Sequence, residues 1–384
     1  MGENRLVLID LDGVLIESVG YNLALRATVD RFAALMGQDR IHLSDQEVAG
    51  FYACGITSEF ISAPMCVAAL LIQALSLRPD LQRSELPGTM EAIRHSRLRV
   101  SRPDFQNLGD RVRPELAAGV EPARAVGSAL RDISPIAVRG LIDELMQDVY
   151  SVRSLTTRTF QQFALGRVQF ERTYRMPAEI GQERSLLSND VPLLRSELVA
   201  KLRACGVPGF PGVAVFTARP SLSPVSTRGG HFSPEAELAL EVLGLDGQVP
   251  YTAGGHMVWL AAVQGRSPAD YIKPSPVHAL AAIGTARSGE LLTSLEASAH
   301  LYEAAELRGP LEQLKSERTE VLVFEDSAAA IQSVRKAVER LALQGIDIRC
   351  TAVGVAADEA RWEALSRVAD RVVPSINEGL ELEW

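Results

Sequence analysis

The sequence predicts an α/β protein whose core is a doubly wound, mainly parallel, Rossmann-like sheet, with a large α-helical domain inserted into it. Short aliphatic and β-branched runs recur at residues 5–9, 212–217, 320–324, 350–355 and 371–373. Such runs are typical of strands that are buried on both faces of a parallel sheet. Helix-like sequence follows several of them, as at 234–243 and 328–344, and this alternation predicts crossover connections.

The inserted domain is predicted from the long stretch between the first two strands. That stretch shows no strand pattern, and apolar residues recur at helical spacing at 21–36, 65–77, 138–152 and 191–202. A chain of 384 residues also exceeds the usual size of one domain. We therefore expect a sheet domain of residues 1–20 and 206–384 and a helical domain of residues 21–205.

Composition and charge indicate which kinds of molecule the protein can bind. The chain is 47% hydrophobic and 23% charged, as expected for a soluble globular protein, and its net charge is −9. An acidic protein is poorly suited to a nucleic-acid backbone, although one bound cation can make a local site attractive to a small anion. Four scattered cysteines predict neither a disulfide scaffold nor a zinc site. The oligomeric state stays open, a homo-oligomer included.

The location in the cell is predicted from two stretches. The opening residues MGENRLVLIDLDG run directly into a predicted strand, so we expect no signal peptide. The longest uncharged stretch, 61–77, is interrupted by Ser62, Pro64, Gln73 and Ser76 and fits a buried helix better than a membrane span. We expect a cytoplasmic protein with no membrane partner.

Two aspartates follow the first predicted strand in the sequence DLDGV. Side chains two positions apart share one face of a strand, so Asp10 and Asp12 can converge while Leu11 points away. Gly13 then permits a sharp turn. Open α/β sheets bind ligands beyond the carboxyl ends of their strands, which is where this pair lies. A turn with hydrated aspartates is the alternative for this motif alone.

Polar residues also follow the later strands. The hydroxyl of Thr217 is placed to hold a phosphate oxygen, with an ordinary helix cap as the alternative. Pro274 restricts Lys273 to an extended conformation that would fix the direction of its ammonium group. Glu325 and Asp326 end another strand, and their hard oxygen atoms suit Mg²⁺.

The ordered set of motifs, DLDGV, TAR, KPSP and ED, resembles the haloacid dehalogenase superfamily on its phosphatase side. The resemblance covers the sheet domain, and the position of the insertion is similar to that of the helical cap in this family. An acidic residue two positions after the first aspartate favours phosphoryl transfer over halide displacement. The D-K-T-G signature of the ion-pumping relatives is absent.

The resemblance implies a role for each motif residue. Asp10 would be the nucleophile that becomes an aspartyl phosphate, and Asp12 the acid and then the base. Thr217 and Lys273 would bind the phosphoryl oxygens. The implied Mg²⁺ ligands are Asp10, Glu325, Asp326 and the backbone carbonyl of Asp12. We therefore expect a Mg²⁺-dependent phosphatase acting on a small phosphorylated metabolite, with a phosphomutase or an inactive binding or regulatory protein as alternatives.

A weaker resemblance concerns the insertion. Residues 51–60 (FYACGITSEF) and 160–174 (FQQFALGRVQFERTY) are similar to cap segments of histidinol-phosphatase-like members of the same superfamily. This weaker resemblance names no substrate, but the resemblance of the insertion to a helical cap implies that residues 21–205 hold the specificity determinants. Gly55, Thr57, Glu59 and Phe60 are the candidate specificity residues, with helix packing as the alternative for Phe60.

Overall fold

The computed structural model describes residues 3–205, 212–225 and 229–383. The predicted fold class is confirmed: the protein is α/β, with a six-stranded sheet that helices cover on both faces. Its strands are β1 (Glu3–Ile9), β2 (Ile16–Glu17), β3 (Val191–Pro192), β4 (Gly212–Phe216), β5 (Tyr251–Thr252), β6 (Arg318–Glu325), β7 (Ile348–Val355) and β8 (Arg371–Val373).

The main sheet has the strand order β5-β4-β1-β6-β7-β8, and all neighbouring strands run parallel. The chain leaves β1 toward β4 and β5 on one side and later returns to β6 on the other side. Strand order therefore reverses around β1. In open α/β sheets this switch point opens a crevice beyond the carboxyl ends of the strands, where ligands bind.

The chain divides into two compact units, Met1–Ser18 with Ser188–Trp384 and Val19–Leu187. In the first unit, the helices are α9 (Ser196–Ala204), α10 (Glu235–Val242), α11 (Gly254–Gln264), α12 (Pro276–Ser288), α13 (Leu291–Ala304), α14 (Gly309–Glu312), α15 (Ala328–Ala342), α16 (Glu359–Ser366) and α17 (Ile376–Glu383). In the second, they are α1 (Val19–Leu35), α2 (Asp45–Ala53), α3 (Glu59–Leu77), α4 (Leu86–Ser96), α5 (Phe105–Ala117), α6 (Pro122–Asp132), α7 (Arg139–Met146) and α8 (Leu155–Tyr174).

Alternating side chains of the central strand separate two hydrophobic cores. Leu6 and Leu8 of β1 pack in one core with residues of α12, α13 and α15. Val7 and Ile9 pack in the other with residues of α9, α10 and α17. Because side chains of a strand alternate between its two faces, a run without polar residues is what a doubly covered strand requires.

The boundary of the sheet unit differs from the expected one. Residues 188–205 group with the sheet, because Leu194, Leu198 and Leu202 pack in the same core as Val7 and Ile9. The predicted return to the sheet at 206 lies outside the described residues, as do 207–211. The helix predicted at 191–202 is also shorter than expected. Residues 191–192 instead form β3, which pairs antiparallel with β2, and α9 begins at Ser196.

The second unit is helical throughout its described elements. Helix α3 is the longest apolar segment and contains Pro64. By length and composition α3 could cross a membrane, but 83% of its most apolar window is buried inside the structure, as in the core helix of a soluble protein. The predicted helix at 138–152 ends earlier, at Met146, and Asp148 then adopts a left-handed backbone with φ 51°.

Candidate active site and metal centre

The site lies at the carboxyl edge of the three central strands. Asp10 directly follows β1, Thr217 directly follows β4, and Glu325 ends β6, which is followed by Asp326. Both β4 and β6 pair parallel with β1, so these residues reach the same edge of the sheet. The backbone N–H of Asp10 donates to the carbonyl of Phe324 at 2.9 Å, which continues the β1–β6 pairing to the site.

Lys273 lies between two of the predicted carboxylates. Its ammonium Nζ donates to Oδ1 of Asp10 and to Oε2 of Glu325, both at 2.7 Å, and lies 4.2 Å from the centre of the Phe216 ring. Burial alone would lower the pKa of Lys273, but the charges of Asp10 and Glu325 outweigh it and raise the pKa above its usual range. Lys273 is therefore a permanent cation that holds both carboxylates.

The loop before α12 directs Lys273 into the site. Ser275 caps this helix by accepting from the N–H of Val277 at 3.3 Å. Nδ1 of His278 accepts the backbone N–H of Lys273 at 3.3 Å, and the His278 ring packs edge-on against Phe216. Burial lowers the pKa of His278 well below its usual value, so the ring is neutral and Nδ1 is free to accept.

Three carboxyl groups form a cluster with the spacing of a metal site. One oxygen each from Asp10, Glu325 and Asp326 lies within 4.8 Å of the others. Burial, then the charge of Asp10, raises the pKa of Glu325 well above its usual range and that of Asp326 to about 7. Lys273 supplies one buried positive charge against three acids, and the half-exposed Arg361 donates to Asp326 at 3.1 Å. Carboxylate oxygens and excess negative charge fit a hard divalent cation.

The absence of a side chain at Gly13 leaves room for Asp326 beside the DLDGV turn. The φ of Gly13 is +74°, a left-handed conformation that side chains disfavour. A Cβ at this position would overlap Oδ2 of Asp326 and lie 2.9 Å from Cγ of Asp326. Glycine at position 13 therefore lets the Asp326 side chain lie against the turn after β1 without being displaced.

Gly13→Ala is expected to displace Asp326 and, if the cluster holds a divalent cation, to weaken its binding by at least about tenfold, since one candidate ligand would leave the cluster. Backbone strain adds about 1–2 kcal/mol of destabilisation. Titration calorimetry with Mg²⁺ and thermal unfolding measure the two effects. Gly345→Ala is the matched control, because Gly345 has φ +81° and open space around its Cβ position. Equal cation affinity in both variants would contradict the assigned role of Gly13.

Asp12 lies in a second network that the sequence did not reveal. Arg219 donates to Oδ1 of Asp12 at 2.7 Å, and the hydroxyl of Ser18 donates to the same oxygen. Arg219 also donates to Oδ2 of Asp190 at 2.9 Å. Desolvation would raise the pKa of Asp12, but the charge and hydrogen bond of Arg219 and the hydrogen bond of Ser18 lower it below its usual range. The Asp12 carboxylate is therefore ionised in the free protein.

Thr217 is buried, with 1% of its surface exposed. Its Oγ1 accepts the backbone N–H of Arg219 at 3.1 Å, and its own N–H donates to the carbonyl of Thr252. This is the short-range turn that a hydroxyl makes after a strand. It places Thr217 at the site edge and turns the chain so that Arg219 reaches Asp12.

The structure thus brings Asp10, Lys273, Glu325 and Asp326 into direct contact or close spacing and gives the Asp12 side chain separate partners. Sequence reasoning missed Arg219, Asp190 and Ser18. Arg219 stands two residues after Thr217 and was visible in the TAR motif, whereas Asp190 lies in a segment without any motif. Its pairing depends on the β2–β3 contact, which only the tertiary structure shows.

The candidate specificity residues belong to the helical unit. The buried Glu59 begins α3 and accepts a hydrogen bond from the hydroxyl of Tyr52. Phe60 lies in an aromatic cluster, 5.0 Å from Phe160 and 6.1 Å from Tyr150 between ring centres. Packing therefore accounts for Phe60. Gly55, with φ +92°, and the exposed Thr57 lie in the connection between α2 and α3.

Comparison with known proteins establishes the fold. No family model and no curated protein match the sequence. A crystal structure solved by the Northeast Structural Genomics Consortium aligns over 100% of this chain and 98% of its own, with a TM-score of 0.63 and 16% identity. A phosphatase from Thermococcus thioreducens aligns over 98% of both chains, with a TM-score of 0.46 and 14% identity. The first likeness shows a shared fold along the whole chain.

Proposed function

We propose that this protein is a Mg²⁺-dependent phosphatase of the haloacid dehalogenase superfamily that hydrolyses a small phosphorylated metabolite in the cytoplasm. The observation that carries the proposal is the contact of Lys273 with Asp10 and Glu325, with Asp326 in the same acidic cluster. Nucleophile, fixed cation and metal-ligating carboxylates are the groups that transfer of a phosphoryl group to a carboxylate requires.

Asp10 would attack phosphorus and become the aspartyl phosphate. A carboxylate that approaches a phosphate dianion meets like-charge repulsion, which the permanent cation Lys273 reduces. Lys273 also fixes the Asp10 carboxylate by one oxygen, so its orientation precedes substrate binding. The Thr217 hydroxyl, at the same edge of the sheet, would donate to a phosphoryl oxygen.

Asp12 would move the proton in both halves of the reaction. It would donate to the leaving oxygen when Asp10 attacks and accept a proton from the water that hydrolyses the aspartyl phosphate. Its lowered pKa favours the ionised form, which is the form that the second half needs. We therefore expect the first half to be the slower one when the leaving group needs a proton.

Mg²⁺ would be held by Asp10, Glu325, Asp326 and the backbone carbonyl of Asp12, and when bound it would neutralise charge on the phosphoryl oxygens. The described residues fit this assignment through their hard oxygen atoms and their uncompensated negative charge. Glu325 and Asp326 would then stay ionised in spite of burial.

The helical unit would exclude bulk water and select the leaving group. Among the candidate specificity residues, Glu59 is the one with a charged side chain, and it is a buried carboxylate at the first turn of α3. Residues 21–205 are therefore where substitutions should change the preferred substrate.

The test is phosphate release from a panel of sugar, polyol, amino-alcohol and nucleotide phosphates, with Mg²⁺ and with chelator. Release that requires Mg²⁺ supports the phosphatase, and the order of rates narrows the substrate class. An isomerised product without free phosphate would indicate a phosphomutase instead. No turnover of any substrate together with specific binding would indicate the inactive binding or regulatory protein.

Mg²⁺ affinity is expected to fall as pH falls through about 7. The pKa of Asp326 is raised to about 7 in the absence of metal, so at lower pH the cation must displace a proton. Each proton displaced weakens affinity about tenfold per pH unit. Calorimetry at pH 8 and pH 6 measures the change, and buffers of different ionisation enthalpy measure the protons released. Equal affinity at both pH values would contradict this assignment of Asp326.

A further inference from the structure

A buried arginine connects Asp12 to Ser18 and Asp190, two residues that flank the inserted domain in the sequence. The Arg219 side chain is 1% exposed. Its Nε and Nη2 lie 2.7 Å from Oδ1 of Asp12, and Nη2 also donates to Oγ of Ser18 at 3.1 Å and to Oδ2 of Asp190 at 2.9 Å. A planar guanidinium can serve several acceptors in fixed directions, which a lysine ammonium does not do.

Asp190 allows Arg219 to stay in place whatever the charge of Asp12. Its side chain is also 1% exposed, so it forms a buried ion pair with Arg219. A buried charge without a partner is costly, whereas a paired one is tolerated. When Asp12 takes up a proton, Arg219 therefore still has a full negative charge beside it. The arginine need not move during a reaction in which Asp12 alternates between two charge states.

The backbone around these residues is fixed by hydrogen bonds and by strand pairing. The N–H of Arg219 donates to Oγ1 of Thr217, and the carbonyl of Arg219 accepts from the N–H of Gly254 at 2.8 Å. Ser18 directly follows β2 and Asp190 directly precedes β3, and these two strands pair antiparallel. The network thus holds the two chain segments that lead into and out of the helical unit beside Asp12.

The two oxygens of Asp12 have different surroundings. Oδ1 accepts from Arg219 and from Ser18, whereas Oδ2 makes no hydrogen bond within residues 3–205, 212–225 and 229–383. The Asp12 side chain is 35% exposed, while Arg219 behind it is 1% exposed. We propose that Arg219 is the positioning residue of Asp12 and that its hold on Oδ1 makes Oδ2 the oxygen that gives and takes the catalytic proton.

This inference rests on the proposed function and assigns the atoms of its proton transfers. In the first half, a phosphate monoester that binds as its monoanion gives its proton to Oδ2 of Asp12. An Asp10 oxygen then bonds to phosphorus, the bond from phosphorus to the leaving oxygen breaks, and that oxygen takes the proton from Oδ2. In the second half, water bonds to phosphorus, its proton goes to Oδ2, and the bond to Asp10 breaks. Arg219 and Ser18 keep their hydrogen bonds to Oδ1 throughout.

The test uses Arg219→Lys in the full chain. Lysine keeps the positive charge beside Asp190 but lacks the planar guanidinium, whose N–H groups donate to Asp12, Ser18 and Asp190 in fixed directions. Initial rates with Mg²⁺ are measured on phenyl phosphate, which has a poor leaving group, and on p-nitrophenyl phosphate, whose leaving group needs little protonation. We expect kcat on phenyl phosphate to fall about 10²-fold, within the range of acid–base catalysis. The rate on p-nitrophenyl phosphate should change only a few-fold. Arg335→Lys, at a partly exposed pair with Asp370, is the matched control and should change neither rate.

The same comparison in the Asp12→Ala background separates positioning from general structural damage. If Arg219 acts through Asp12, then Arg219→Lys has little further effect once Asp12 is alanine. Equal losses on the two substrates, or a full additional loss in the Asp12→Ala background, would overturn the proposal. If the wild type shows no Mg²⁺-dependent release that Asp10→Asn removes, the proposed function itself fails, and this inference fails with it.

Ser18→Ala provides a second test if Arg219→Lys does not fold, as thermal unfolding will show. It removes a donor to the same Oδ1 and leaves both ion pairs of Arg219 in place. We expect Ser18→Ala to lower kcat less than Arg219→Lys does, but again more on phenyl phosphate than on p-nitrophenyl phosphate. In the Asp12→Ala background, Ser18→Ala should have little further effect on either rate. A loss that is uniform across the two substrates would contradict the proposal.

Discussion

Asp10→Asn is expected to abolish phosphate release while the protein stays folded. The nucleophilic oxygen becomes part of an amide, and losses of at least about 10⁴-fold follow the removal of a covalent nucleophile. The amide oxygen can still accept from Lys273, so the local geometry is kept. One negative charge also leaves a crowded acidic cluster, so the thermal midpoint without metal should not fall.

Two measurements make the Asp10 prediction specific. Steady-state release is compared with that of Asp132→Asn, a change of the same kind at an exposed position. Acid-quenched wild type, after brief exposure to substrate, should carry phosphate on the peptide that contains Asp10, and Asp10→Asn should carry none. Retained activity in Asp10→Asn would remove Asp10 as the nucleophile, and phosphate on another peptide would identify a different one.

The sheet could be predicted because its central strands carry a strong local signal. The strands at 5–9, 212–217, 320–324, 350–355 and 371–373 are all present, since burial on both faces demands an uninterrupted apolar run. The two-residue strands β2, β3 and β5 were missed, because two residues show no periodicity. Their positions depend on partners distant in the sequence, as Ile16 pairs with Pro192.

From strand positions alone, the site was predictable only where a residue follows a recognisable strand; Lys273 was assigned to it through the resemblance in motif order. Asp10, Thr217 and Glu325 could be placed at one edge of the sheet from the order of parallel strands alone. Lys273 is 263 positions from Asp10, and nothing local in KPSP specifies that contact. Asp190 could not be predicted from the sequence either, because its buried charge is paired with Arg219, which is distant in the sequence.

Lys273→Met should be the most destabilising change at the site. The substitution leaves Asp10 and Glu325 buried without their shared cation, and breaking a buried pair in this way costs about 3–5 kcal/mol. Methionine can still pack on the Phe216 ring, so the loss is chiefly electrostatic. Phosphate release should also fall, by about 10²–10³-fold, as for loss of one fixed group that stabilises transition-state charge.

Because the destabilisation by Lys273→Met is chiefly electrostatic, its size should depend on pH. The pKa of Lys273 is raised by folding, so its stabilising charge is present at all pH values below its ordinary pKa and is lost only as pH rises through the raised value. At pH 8 without metal, where Asp326 is mostly ionised, the cost of Lys273→Met should be larger than at pH 6. At pH 6 it should shrink, because Asp326, whose pKa is raised to about 7, takes up a proton and relieves the repulsion.

Mg²⁺ should reduce the destabilisation of Lys273→Met in the same way, because a bound cation replaces part of the missing positive charge. Chemical denaturation at pH 8 and pH 6, with and without Mg²⁺, measures all four conditions. Lys336→Met, at an exposed position of α15, is the matched control and should change stability by less than about 0.5 kcal/mol. A cost for Lys273→Met that is the same in all four conditions would mean that lost packing, and not the unpaired carboxylates, destabilises the variant. The buried ammonium would then have no part in balancing the acids that are proposed to hold the metal.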